Sequence, residues 1–321
     1  MPPCAHVSEP PPDPLLSPLR DLVARVREPH LPILVAAHRG DSQNAPENTL
    51  AAFLRARELG ADLVELDVHV SADGDVMVIH DEKVDRTTDG RGEVARLRTA
   101  ELRQLSAGSW FADRWAGELV PLLDEVLDLC RGHLVPMIEI KAKRKRAPDA
   151  GRRVAEALAR HGLEEKAVVI CRDAARVQEV HAASPATPLS VLTITKRQAR
   201  GALRTPGVRG VDCYWKSLSL GLVRELRQGA FFLTPWTVNR PRDWERLVRI
   251  GCEAIITDCP LLLRDHAERL ELARLRDPGP EDEGDLDLEL EPGEGESPDE
   301  VLRRDPSESD GEQPPLPPLR A

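Results

Sequence analysis

The 321-residue chain has no apolar run long enough to cross a bilayer, so a membrane-spanning helix is not expected. Its opening stretch, MPPCAHVSEPPPDPLLSPLRD, has neither a basic start nor an apolar segment, so no secretory leader is expected there. The six cysteines, at positions 4, 130, 171, 213, 252 and 259, include no pair at C-x-x-C spacing. No His/Cys cluster has zinc-ligand spacing either. Most of these cysteines lie in apolar segments and read as reduced, buried thiols of a cytoplasmic protein. No internal repeat is present, and no G-x-G-x-x-G follows the first apolar run, which weakens the case for a doubly wound open sheet.

Excess charge is also missing from most of the chain. The formal net charge is −11, yet residues 278–321 alone hold 15 acidic and 3 basic residues, a net of −12. The remainder is close to neutral, which is no sign of a nucleic-acid binder. The basic run KAKRKR (141–146) has no interleaved aromatics and reads as a solvated loop. Three regions separate by composition. Residues 1–30 form an N-terminal extension, proline-rich and then amphipathic (LLSPLRDLVARVRE). Residues 31–275 carry the fold. Residues 276–321 form an acidic tail with nine prolines and no aromatic residue, expected to be disordered because it cannot bury enough apolar surface to offset its ordering entropy.

The middle region alternates apolar runs with helical patterns. Strands are expected at 32–37, 63–70, 76–80, 134–140, 167–171, 188–194, 210–215, 230–238 and 254–257. Helical patterns such as ENTLAAFLRARELG and DAGRRVAEALARHG lie between most of them, several ending in Gly. A βα series of this length implies a (β/α)8 TIM barrel. There is one strand too many for eight staves. The five residues SADGD (71–75) are too few for a parallel crossover and contain a turn signal, so 63–70 and 76–80 pair locally or one weaker candidate is not a stave.

In such a barrel the chemistry lies at the C-terminal ends of the strands. His38 and Arg39 close the first strand. Glu65 and Asp67, two apart, share a face of the second. His80 ends the VMVIH run, and Glu139 and Lys141 again share a face. Carboxylates that close repel each other, and burying them is costly without a cation between them. Oxygen ligands with room for substrate suit Mg²⁺ or Ca²⁺. Arg39 and Lys141 suit phosphate oxygens, and two imidazoles suit proton transfer at neutral pH. Together they point to hydrolysis of a phosphodiester. His69 reads as a rim or structural residue. Trp236 is either barrel packing or a platform for substrate. Glu47 and Asn48 read as caps of the following helix, with a pocket role left open for Glu47.

The ordered series AHRG, PENT (46–49), ELDVHVSADGDVMVIHDEKVDRTTDGRG (65–92), IEIK (138–141), PWTVN (235–239) and GCEAIITDCP (251–260) strongly resembles the glycerophosphodiester phosphodiesterases over about residues 33–265. The resemblance implies a (β/α)8 barrel that hydrolyses glycerophosphodiesters to glycerol 3-phosphate and an alcohol with Ca²⁺ or Mg²⁺. It implies Glu65, Asp67 and Glu139 as metal ligands and His38 and His80 as the catalytic pair. Arg39 and Lys141 fall on its phosphate contacts, and Trp236 on its aromatic pocket wall. By analogy with bacterial phosphatidylinositol phospholipases C, His38 would be the base and His80 the acid. The expected partner is a small glycerophosphodiester, with no nucleic acid and no stable membrane association. A lysophospholipase D and a non-catalytic scaffold barrel are the competing readings. Two departures stand out. Cys171, Arg172 and Asp173 replace the family's usual Ser-Phe-Asp run, and the segment between His80 and Pro121 is short.

Overall fold

The computed structural model describes residues 18–24 and 33–276, apart from 142, 144, 146 and 173. The expected tail beyond Arg276, Cys4 and the rest of residues 1–30 lie outside the described residues. Nine strands are present: β1 (Leu34–His38), β2 (Leu63–Val70), β3 (Val76–Val78), β4 (Val135–Ile140), β5 (Val168–Cys171), β6 (Leu189–Thr193), β7 (Val208–Cys213), β8 (Phe232–Leu233) and β9 (Ala254–Thr257). Eight of them run parallel in the order β8-β7-β6-β5-β4-β2-β1-β9. Backbone bonds from Ile256 N to Pro235 O (3.0 Å) and from Val238 N to Ile256 O (2.9 Å) join the two ends of that order. The barrel expectation therefore holds.

The surplus strand resolves as a hairpin. β3 pairs antiparallel with β2, Val68 opposite Val78 and Val70 opposite Val76, and is not a stave. β8 is much shorter than the expected 230–238, because Pro235 has no N–H to donate to a ladder. The chain resumes pairing just beyond it, where Trp236 forms a parallel bridge with Tyr214. Four helices went unread in the sequence, Thr99–Leu102, Leu123–Cys130, Lys196–Ala202 and Pro260–Arg276.

Strand alternation divides the core into lumen and shell. In β2, Val64, Leu66 and Val68 face the outer helices, while Leu63 faces the lumen. The lumen cluster holds the first residue of six strands: Leu34, Leu63, Val135, Val168, Phe232 and Ala254. Leu19, Leu22 and Val23 join the same cluster, so the helix Pro18–Ala24 seals the N-terminal mouth of the barrel. Pro18 stands at its first position, where a missing N–H costs nothing. The stretch read as an extension is thus, at residues 18–24, part of the barrel's own core.

A third cluster, including Met77, Ile79, Val84, Val94, Leu102 and Val120, gives the excursion between β3 and the helix Leu123–Cys130 a small core of its own. The five described cysteines are buried.

Truncating Leu22 should open a void at the sealed mouth. Leu22→Ala is expected to lower stability by about 2–4 kcal/mol in urea unfolding, while KM for substrate at the opposite end stays unchanged.

Candidate active site

The turn after β1 is shaped by backbone that few residues adopt. Arg39 and Gly40 have φ of 54° and 87°, and a Cβ on Gly40 would lie 2.6 Å from the Ala52 carbonyl carbon. This fold-back lets the Arg39 N–H donate to Glu65 Oε2 (3.2 Å) while its carbonyl accepts from Asn48 N (3.0 Å). Left-handed backbone at a non-glycine costs on the order of 1–3 kcal/mol, and here it occurs at Arg39 and again at Asn48, φ 56°.

Strand register then gathers the acids. His38 lies opposite Glu65 and Asp67 opposite Glu139. One carboxylate oxygen each from Glu65, Asp67 and Glu139 lies within 4.8 Å of the others. All three residues are at most 5% exposed. Two cations enter the cluster. Lys141 Nζ lies 2.8 Å from Glu139 Oε2 and 3.3 Å from Asp67 Oδ1, and Arg39 Nε lies 3.1 Å from Asp67 Oδ2. Asn48 Nδ2 donates to Asp67 Oδ2 (2.9 Å).

The electrostatics of the three acids differ. Burial raises the Glu65 carboxyl well above the usual carboxylate range, and repulsion from Asp67 adds to it. Burial acts on Asp67 in the same sense, but Lys141, His80 and Arg39 outweigh it and hold that group far below the range. Lys141 is raised: burial opposes its charge, and Glu139 and Asp67 more than compensate. Glu139 Oε1 is buried without a hydrogen-bond partner. An orphaned carboxylate oxygen beside a pressed Glu65 is what an all-oxygen donor set for a hard divalent cation would leave, so the residues fit such an ion.

Each imidazole is backed by a carboxylate. His38 Nδ1 pairs with Asp258 Oδ1 at 2.6 Å, and Asn239 Nδ2 holds the other oxygen of Asp258 (2.6 Å). His80 Nδ1 pairs with Asp81 Oδ1 at 2.6 Å. A proton on Nδ1 in each pair leaves Nε2 for chemistry. Burial first, and then the charge of Arg39, hold His80 below its ordinary pKa of 6.5. His80 is not at the rim end of a stave, as expected from VMVIH. β3 stops at Val78, and the chain runs back along β2, with Ile79 N bonded to Asp67 O (2.9 Å), so that His80 is delivered downward beside the acids. His69 Nε2 bonds the His80 carbonyl (2.9 Å), the structural part expected of it. Trp236 packs partly on the lumen core, its indole N–H donating to Asp212 O (3.0 Å) and its ring 5.7 Å from that of Tyr214.

The capping expectation for residues 47 and 48 does not hold. Thr49 is the N-cap, accepting from Ala52 N, and this frees both neighbours. Glu47 bridges Arg39 NH1 (3.0 Å) and Arg86, which donates to it through NH1 and NH2 (both 2.8 Å). Glu47, Asn48, Arg86 and Asp258 are the residues around the site that strand patterning did not reveal. Their signal lay in the PENT, RTTDG and ITDCP stretches of the resemblance.

Three clustered acids flanked by two basic side chains and two carboxylate-backed imidazoles, on the rim of a (β/α)8 barrel, suit a hydrolase that acts on phosphate esters. The sequence pattern of the glycerophosphoryl diester phosphodiesterase family matches residues 38–262. A glycerophosphodiester phosphodiesterase of Caldanaerobacter subterraneus is 38% identical over 231 residues, 71% of this chain and 94% of the relative. One of Bacillus subtilis is 32% identical over 249 residues, 71% of this chain and 84% of the relative. A phosphodiesterase of Oleispira antarctica, solved with the product sn-glycerol-3-phosphate, matches with a TM-score of 0.70 at 26% identity, over 74% of this chain and 97% of that one. The chain belongs to the glycerophosphoryl diester phosphodiesterase family and is an enzyme of that activity.

Glu47 is the buried acid with the clearest linkage to stability. Burial raises its pKa, but the charge of Arg39 and the hydrogen bonds and charge of Arg86 overcome this and bring it from 4.5 to about 2. A depressed acid stabilises the fold above its unfolded value and loses that contribution as pH falls through the folded one. Glu47→Gln should therefore cost about 3 kcal/mol above pH 4.5. The gap to wild type should close as pH falls toward 2, and melting curves across that range read it directly. A gap independent of pH would assign the loss to packing.

Proposed function

We propose that the hydrolysis of glycerophosphodiesters to sn-glycerol 3-phosphate and an alcohol runs on His38 and His80 as the proton-transfer pair, with Arg39 and Lys141 holding the phosphate. The reading rests on one observation: acids from β2 and β4 converge within 4.8 Å, with a carboxylate-backed imidazole supplied from each side, on β1 and after β3.

Glu65, Asp67 and Glu139 would hold the divalent cation, Mg²⁺ or Ca²⁺. Bound there, it would supply positive charge to the phosphate oxygens and to the charge that develops on them during attack. The forked guanidinium of Arg39 orients two phosphate oxygens, and Lys141 adds a point charge. The nucleophile is water or the glycerol hydroxyl next to the ester. Its proton passes to Nε2 of His80, which burial and Arg39 keep neutral and ready to accept. Nε2–H of His38 gives a proton to the departing alkoxide, and Asp258 stabilises the imidazolium while it carries that proton. This assignment is the reverse of the phospholipase analogy. If a cyclic phosphate forms first, the two imidazoles exchange roles as water opens it. Trp236 would line the glycerol side.

The buried thiols of Cys130, Cys213, Cys252 and Cys259 support a cytoplasmic setting. Among the described residues no helix is long and apolar enough to cross a membrane. In the basic run, Lys143 pairs with Glu82 (2.6 Å), which favours a small-molecule partner over a nucleic acid.

A panel of glycerophosphodiesters assayed with Mg²⁺, with Ca²⁺ and with EDTA tests the reading. Glycerol 3-phosphate release should vanish in EDTA and return with metal, and His80→Ala should lower kcat by about 10²–10⁴ at an unchanged melting temperature. No release from any member of the panel would favour the scaffold barrel instead. The acid limb of kcat/KM against pH should fall below 6.5, because His80 accepts a proton only when neutral. A limb above that value would count against His80 as the base.

A further inference from the structure

We infer that Arg86 is a positioning residue: its guanidinium locks the carboxylates behind His80 and Arg39 into one brace, and so ties the small cap to the alignment of the catalytic rim. The inference rests on the roles just proposed for His80 and Arg39 and adds what holds them in place.

Arg86 reaches two acids through all three of its nitrogens. Nε donates to Asp81 Oδ2 (2.9 Å), NH2 to Asp81 Oδ1 (3.1 Å) and to Glu47 Oε1 (2.8 Å), and NH1 to Glu47 Oε2 (2.8 Å). All four carboxylate oxygens are taken. Asp81 Oδ1 then meets His80 Nδ1 at 2.6 Å, and Glu47 Oε1 meets Arg39 NH1 at 3.0 Å. A continuous series runs from His80 through Asp81, Arg86 and Glu47 to Arg39, and from Arg39 Nε to the acid Asp67 at 3.1 Å. It spans the gap between β1 and the segment after β3, which no backbone ladder bridges.

The backbone that carries Arg86 is itself fixed. Val84 lies in the cap core, its N–H donates to Gly92 O (3.0 Å), and its carbonyl accepts from Thr88 Oγ1 (2.7 Å). Thr87 and Thr88 are buried. The cap thus presents Arg86 from a rigid seat. Asp81 held at both oxygens can take only one orientation toward the imidazole, which keeps the proton on Nδ1 and leaves Nε2 to the substrate. Glu47 held at both oxygens accepts from Arg39 without drawing it away from the rim. Lysine, a point charge on a flexible stem, cannot satisfy two carboxylates in this way.

Five full-length variants (Arg86→Gln, Arg86→Lys, Asp81→Asn, the Arg86→Gln/Asp81→Asn double and His80→Ala), compared below their melting temperatures with one glycerophosphodiester, test the inference. Arg86→Gln should lower kcat by about 10–100-fold and raise KM, since both His80 and Arg39 lose their hold. Its acid limb of kcat/KM should move upward, because removing a cation near His80 favours the protonated imidazole. Arg86→Lys should keep the limb near that of wild type but fail to recover kcat. Combining Arg86→Gln with Asp81→Asn should cost no more than the worse single change, as groups acting in one unit do. Wild-type kcat, KM and acid limb in Arg86→Gln, with only a lower melting temperature, would overturn the brace. If Arg86→Gln does not fold, recovery of kcat by Arg86→Lys overturns it and failure to recover supports it. An inactive His80→Ala beside a wild-type-like Arg86→Gln defeats the brace alone. An active His80→Ala defeats the catalytic assignment beneath it.

Discussion

The structure turns on the mutual repulsion of three buried carboxylates. Glu65, Asp67 and Glu139 sit on adjacent strands with almost no exposure, where each alone would be costly, and burial together with the charges of Asp67 and Glu139 pushes Glu65 toward protonation. Lys141 and Arg39 offset part of that cost but bring two positive charges against three negative. The remaining imbalance would be met by the proposed cation. A fold optimised only for stability would place apolar side chains at these positions, since a buried charge cluster contributes little net stability.

Holding the acids together requires rigid surroundings, and the barrel supplies them from below. Alternation along β2 and β4 sends every second side chain inward, so leucine, valine and methionine fill the lumen beneath the acids. The helix Pro18–Ala24 closes the far mouth with three buried side chains. The acids therefore stand on a packed floor, and the polar layer is confined to the rim where substrate arrives.

From above, the site is completed by segments that are not staves. β3 is too short and runs the wrong way to belong to the barrel, yet its reversal along β2 brings His80 down to the level of Asp67. The small cap that follows has its own apolar core and sends Arg86 back toward the rim. The turn after β1 accepts left-handed backbone at Arg39 and Asn48, and these two residues make polar contacts with Asp67. Strain, hairpin and cap converge on the same few oxygens. The carboxylate partners of the two imidazoles, Asp258 and Asp81, likewise come from loops that follow β9 and β3.

The amino-acid sequence by itself determined the barrel and the strand faces that carry its paired polar residues. Strand identity is written in local alternation, so the pairs Glu65/Asp67 and Glu139/Lys141 were legible as shared faces, and the five-residue gap at 71–75 already ruled out a parallel crossover. Only the tertiary structure decided which strand was not a stave, that Thr49 rather than Asn48 caps its helix, and that Glu47 bridges two arginines. The same holds for the burial of residues 18–24 in the lumen. These outcomes depend on partners far apart in the chain, such as Asp258 with His38 or Arg86 with Glu47. Period and propensity describe a residue's neighbours within a turn or a strand. They carry no information about which distant carboxylate will face which cation once the barrel has closed.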